Sequence, residues 1–283
     1  MTAWIIVTTV VVTVAAAVRS TWSPCGLSML ASITPLGEVG RGHRFRATAS
    51  WYVVGSTLGG ASLGLCVAAL TLAVDALSLT SRETILVALG ASAVAVISDT
   101  GLGGFHLPVH HRQVNERWLD RFRPWVYGAG FGWQIGTGLG TYIMTAAVYL
   151  MIVLGALSGH PWLGVAFGAF FGLVRGLSVW LGRHITSMEA LREFHRRFFE
   201  NGPRVRRITV AVEVVAVGLF AVMLSLWTTL ALGAAAILWV VAWAVRRGSR
   251  AEVGPTSRRR TEVTSGGATI RSQDHRGAVG GGR

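Results

Sequence analysis

The sequence predicts an all-α protein, a polytopic membrane helix bundle of about seven transmembrane helices. Three observations predict it. Of 283 residues, 52% are hydrophobic and 14% are charged, whereas a soluble domain is about one quarter charged. The apolar residues fall in blocks long enough to span hydrocarbon, with nearly all the charge between them. None of the blocks shows the strict period-two alternation of a barrel strand, so the backbone must satisfy itself as helix.

The blocks lie at residues 3–36 (interrupted), 47–74, 84–98, 126–157, 161–182, 208–227 and 229–245. The first has no basic leader and continues past Arg19, which predicts a retained span rather than a cleaved signal peptide. The second is rich in glycine, the third is the shortest, and the fourth carries a glycine string. Residues 1–245 thus form the bundle, and 246–283 read as a disordered, basic cytoplasmic tail of Gly, Ser and Arg.

Charge sets the orientation. All 26 basic residues are Arg, and from the first connection onward they number 3, 1, 4, 0, 7 and 0, then 9 in the tail. The positive-inside rule places the N-terminus outside, the C-terminus in the cytoplasm and an odd number of crossings between, in a plasma-membrane protein. Topology and anionic-lipid contact account for the net charge of +13, so the lipid bilayer and not nucleic acid is the expected partner. Cys25 and Cys66 sit in different spans and define no disulfide framework. The loop histidines His106, His110 and His111 have no ligand spacing around them, and no metal or cofactor is expected. Residues Glu189 to Glu200 read as an amphipathic surface helix.

Two segments interrupt the helical pattern. In the run from Arg19 to Leu36, Pro24 and Pro35 each remove an amide donor, so the helix should break near Ser23 and again near Thr34. Freed carbonyls survive at membrane depth only when buried in protein or lining a wet cavity. The second segment, Gly128 to Thr141, sets Trp133, Gln134, Thr137 and Thr141 among six glycines that include Gly136. Small residues also let helices approach closely, which gives a packing explanation for the same string. Three spans follow each marker, so the chain divides into two inverted three-helix repeats, about 3–99 and 126–227, plus the helix at 229–245. Ser23, Pro24, Gly26, Thr34, Pro35, Trp133, Gln134, Gly136, Thr137 and Thr141 would line a shared central site, with Cys25 as its candidate reactive group.

The segment Ser23-Pro24-Cys25-Gly26-Leu27, the following Thr34-Pro35, the basic loop through Arg41, His43 and Arg44, and Gly132-Trp133-Gln134-Ile135-Gly136 resemble the CcdA/DsbD family. That family comprises cytochrome c biogenesis and thiol-disulfide electron-transfer proteins, and the resemblance covers roughly residues 15 to 227. It implies a six-helix core in which one cysteine per repeat relays reducing equivalents from cytoplasmic thioredoxin-like proteins across the membrane. Cys25 matches the first family cysteine, whereas the second falls at Gly136 and its neighbouring proline at Ile135. A mixed disulfide needs a resolving thiol. The same scaffold would alternatively serve as a small-solute transporter around Gln134, Thr137 and Thr141.

Two charges lie deep in apolar sequence. Arg175 stands eight positions before Arg183 and Glu213 six after Arg207, at depths of about 12 and 9 Å. An isolated charge there is costly, which predicts an Arg175–Glu213 pair between spans five and six. Arg19 either lies within the membrane or marks the end of the first helix.

Overall fold

The structure is a computed structural model that describes residues 2–108, 121–138 and 143–224, together with 233, 236–240 and 243. Among the described residues the chain is helical, without strands. Five of the helices are long and apolar enough to cross a membrane: Thr2–Thr21, Phe45–Ala76, Ser81–Thr100, Pro161–His184 and Met188–Leu224. The difference from seven has local causes. The fourth apolar block divides into two shorter helices, more than half of the seventh block lies outside the described residues, and so does the whole tail.

Helix α1 (Thr2–Thr21) carries hydroxyls that an apolar helix tolerates because those of Thr8, Thr9, Thr13 and Thr21 are satisfied along its own axis. Thr9 donates to the Ile5 carbonyl at 2.6 Å and Thr13 to the Thr9 carbonyl at 2.6 Å. Pro24 ends the run. Helix α2 (Pro24–Ser32) opens on it, capped by Ser23, whose Oγ accepts from the Gly26 amide at 3.1 Å. Thr34 repeats the device for α3 (Pro35–Gly40), accepting from the Gly37 amide at 3.0 Å. The interrupted first block is therefore three helices, and Arg19 lies inside the first of them.

Helices α4 (Phe45–Ala76) and α5 (Ser81–Thr100) complete the first half of the chain. The latter begins with a capping box between Thr80 and Glu83 and ends on Gly101 in the left-handed region, φ 70°. Helix α6 (Pro124–Gly136) opens on a proline and stops where Gly138 adopts φ +66°. Then follow α7 (Ala147–Ala156) and α8 (Pro161–Leu177), which tightens into a 3-10 segment to His184. Helix α9 (Met188–Leu224) runs without a break through Pro203. The amphipathic segment at Glu189 to Glu200 is thus the first third of a longer membrane helix, laced by Glu193–Arg196, Glu193–Arg197 and Glu200–Arg196 ion pairs.

The bundle is organised around α4, which packs against α8 on one side and α6 on the other. A methyl group on Gly60 would overlap the Gly168 carbonyl of α8, and one on Gly168 would overlap the Gly60 carbonyl. On the α6 side Gly132 and Gly136 abut the carbonyls of Tyr52 and Ser56. These are backbone-to-backbone contacts, so the glycine string in α6 serves helix approach. The Ser56 hydroxyl, buried between, donates to the Gly172 carbonyl at 2.7 Å. Around this slab α1 packs against α7, α8 and α9, and α5 against α9 and α7.

Gly60→Ala should lower the thermal midpoint of the purified protein, at a cost on the order of 1–3 kcal/mol for forcing the backbones apart. In contrast Gly90, on α5, has nothing within 4 Å of an added Cβ. Gly90→Ala should raise the midpoint slightly, by about 0.5–1 kcal/mol.

Candidate functional site

The two interruptions meet at one side chain. Pro24 cannot donate to the carbonyl four residues back, that of Ser20, and α6 ends beside the carbonyl of Ile135. Arg175 of α8, 1% exposed, donates from Nη1 to Ile135 at 2.7 Å and from Nη2 to Ser20 at 3.4 Å. A planar guanidinium suits this task because its donors fork toward two separate acceptors. The Phe171 ring, one turn earlier, lies 5.9 Å from the guanidinium carbon. Cys25, in the first turn of α2 and 3% exposed, and Tyr52 of α4 stand within electrostatic reach of the same cation. Cys66 is exposed on the outer side of α4, and neither cysteine is in a disulfide.

The other residues expected at the centre have mainly backbone duties. Ser23 and Thr34 are caps, Pro24 and Pro35 open helices, Gly26 leaves room for the Thr21 carbonyl, and Gly136 packs on Ser56. Thr137 bonds the Gln134 carbonyl at 2.7 Å. Trp133 faces outward, 49% exposed, with its indole N–H on Ser62 at 3.3 Å. Thr141 lies outside the described residues.

Arg175 and Glu213 also keep different company from the one predicted. Arg175 spends its donors on the carbonyls of α1 and α6, while Glu213 approaches Asp99. Equal depth in the membrane did not imply the same azimuth around the bundle.

A polar cavity of about 210 Å³ opens elsewhere, between the C-terminal ends of α1 and α5, the start of α7 and the middle of α9. Arg19, Asp99, His106, Thr145, Tyr149 and Arg206 line it. The Asp99 carboxylate caps the entry to α7, accepting from the Ala146 amide at 2.6 Å and from the Thr145 hydroxyl. Arg206 caps α5, donating from Nε and Nη2 to the Asp99 carbonyl at 3.2 and 2.8 Å. The ring of His106 is held with Nδ1 at 3.1 Å from the Ser98 carbonyl, and Leu107 bonds the Ser98 hydroxyl at 3.0 Å. Asp99 stands in the last turn of α5, where nothing in the sequence singles it out. Its pairing with the break before α7, 46 residues away, leaves no periodic signal.

A second polar knot was equally silent in the sequence. Glu38 of α3 is 0% exposed, yet every contact it makes is a donor. Tyr127 of α6 reaches its two oxygens at 2.8 and 2.7 Å, Thr48 of α4 at 2.5 Å and Arg41 at 3.2 Å. The knot ties α3, α4 and α6 at one end of the glycine slab. A buried carboxylate this well supplied is a structural anchor.

Among known proteins the chain is similar to methylamine utilization proteins MauF. It is 31% identical over 194 residues to that of Paracoccus denitrificans, spanning 60% of this chain and 67% of the relative. Against the Paracoccus versutus protein it is 29% identical over 187 residues, 58% of this chain and 66% of the relative. Against that of Methylophilus methylotrophus it is 28% identical over 165 residues, 56% of each. No family model matches the chain, and no solved structure matches it.

Replacing Arg175 by Met should leave the Ser20 and Ile135 carbonyls without their shared donor. The expected cost is on the order of 2–4 kcal/mol, read as a lowered thermal midpoint and a smaller monodisperse fraction in detergent.

Proposed function

The chain belongs to the MauF family of methylamine utilization proteins, and from that premise we propose that it serves amine utilization as an integral membrane carrier for a small polar solute. The observation that carries this reading is the polar cavity, which reaches inward to the break between α6 and α7 and ends on Asp99. Broken helices at membrane depth, with carbonyls and helix ends turned toward a cavity, are how secondary transporters build solute sites.

The pairing of helices supports two inverted halves. Spans 1, 2 and 3 are α1, α4 and α5; spans 4, 5 and 6 are α6 with α7, then α8, then α9. Span 1 packs on span 4 through α1 and α7, span 2 on span 5 through α4 and α8, and span 3 on span 6 through α5 and α9. This is the arrangement an exchange of halves would preserve. Reading the Arg-rich loops as cytoplasmic in a plasma-membrane protein puts the cavity mouth, beside Arg206 and His106, on the cytoplasmic side.

A thiol-based role of the CcdA/DsbD type is the second reading, favoured by one observation: Cys25 is buried in the first turn of α2 beside Arg175, where the two interruptions meet. It would use thioredoxin-like proteins as partners, and its relay lacks a second thiol in the second half.

Uptake of radiolabelled methylammonium into proteoliposomes tests the carrier. Saturable uptake above protein-free vesicles, reduced at least tenfold (about 1.4 kcal/mol) by Thr145→Trp, is the expected outcome. Uptake no faster than in protein-free vesicles overturns it. Trapping of Cys25 in a mixed disulfide with a thioredoxin-type protein, with loss of function in Cys25→Ser, would favour the thiol reading instead.

A further inference from the structure

The carrier reading leaves two carboxyl groups unexplained. Glu213 lies seven residues, two turns, after Arg206 on α9 and is 0% exposed. Neither of its oxygens meets a hydrogen-bond donor among the described residues. What its carboxyl approaches is the carboxyl of Asp99 on α5, whose own oxygens accept from Ala146 and Thr145 at the floor of the cavity. Here acceptor faces acceptor. As two anions these groups repel strongly in a dry interior, whereas one proton between them turns the contact into a short, charge-assisted O–H···O bond.

We infer that Asp99 and Glu213 form a proton-binding pair at the inner end of the cavity, holding one proton between two carboxyl groups. The proton comes from water in the cavity by way of Asp99, which lines it, and returns by the same route. Glu213 is the buried half. The single negative charge that remains is offset by Arg19 of α1, which acts on Asp99 across the cavity. Arg206 of α9 is committed through two nitrogens to the Asp99 backbone, and His106 and Tyr149 of α7 are the other titratable groups of the wall. Because α5, α7 and α9 all converge on Asp99, losing the proton would press α9 away from α5 and loosen the floor beneath the solute. The inference deepens the carrier reading by naming its coupling ion, and it rests on that reading for the coupling alone.

Infrared difference spectroscopy on the full chain in nanodiscs, titrated around neutral pH, reads the proton directly. A protonated-carboxyl C=O band is expected in the wild type and is lost in Glu213→Gln. That variant should keep the wild-type thermal midpoint, because the amide preserves the shape and charge of the protonated acid. Asp99→Asn should also remove or shift the band, and Glu213→Gln alone decides if that second variant does not fold. A wild type without the band, or a band unchanged in Glu213→Gln, overturns the inference. No transport enters the measurement, so failure of methylammonium uptake and failure of the shared proton are separate results.

Discussion

The structure depends on how closely three backbones approach. Helix α4 has no side chain where it meets Gly168 of α8, and α6 has none where it meets Tyr52 and Ser56. Lipid offers little hydrophobic drive to pull helices together, so close van der Waals contact over glycine faces supplies much of the cohesion. That constraint fixes the spacing of α4, α6 and α8, and the polar groups are placed on the result. Arg175 can span from Ser20 to Ile135 because α8 is seated this tightly. Glu38 can collect donors from α4 and α6 because those helices already touch.

Breaking a helix inside a membrane creates unsatisfied backbone, and the chain answers each break with a different group. Ser23 and Thr34 cap the helices that start after the first two breaks. Arg175 takes carbonyls at both the α1 and the α6 ends, and Asp99 takes an amide where α7 begins. The end of α1, the end of α6 and the start of α7 are therefore held from distant parts of the sequence. At the cavity the group supplied is a carboxylate that also lines open space.

Much of this was legible in advance because it is local. Proline and glycine announce breaks, apolar length announces spans, and the helix breaks beside Ser23 and Thr34 follow from amide chemistry alone. The pairing of charges was not. Arg175 and Glu213 have matching depths in the sequence, but depth is one coordinate and the angle around the bundle is another. Only packing supplies the second. Glu38 and Asp99 illustrate the same gap, since their donors come from residues 89 and 47 positions away.

Helix α9 spans 37 residues, about 56 Å at 1.5 Å per residue, nearly twice the thickness of a hydrocarbon core. Its membrane half and its charged, ion-paired half are one continuous rod, and Trp22 grips that outer half by stacking on Phe198 at 4.5 Å. Such a rod acts as a lever: a tilt of a few degrees at the Arg-rich end displaces Glu213 and Arg206 together, since both ride on the same rigid body.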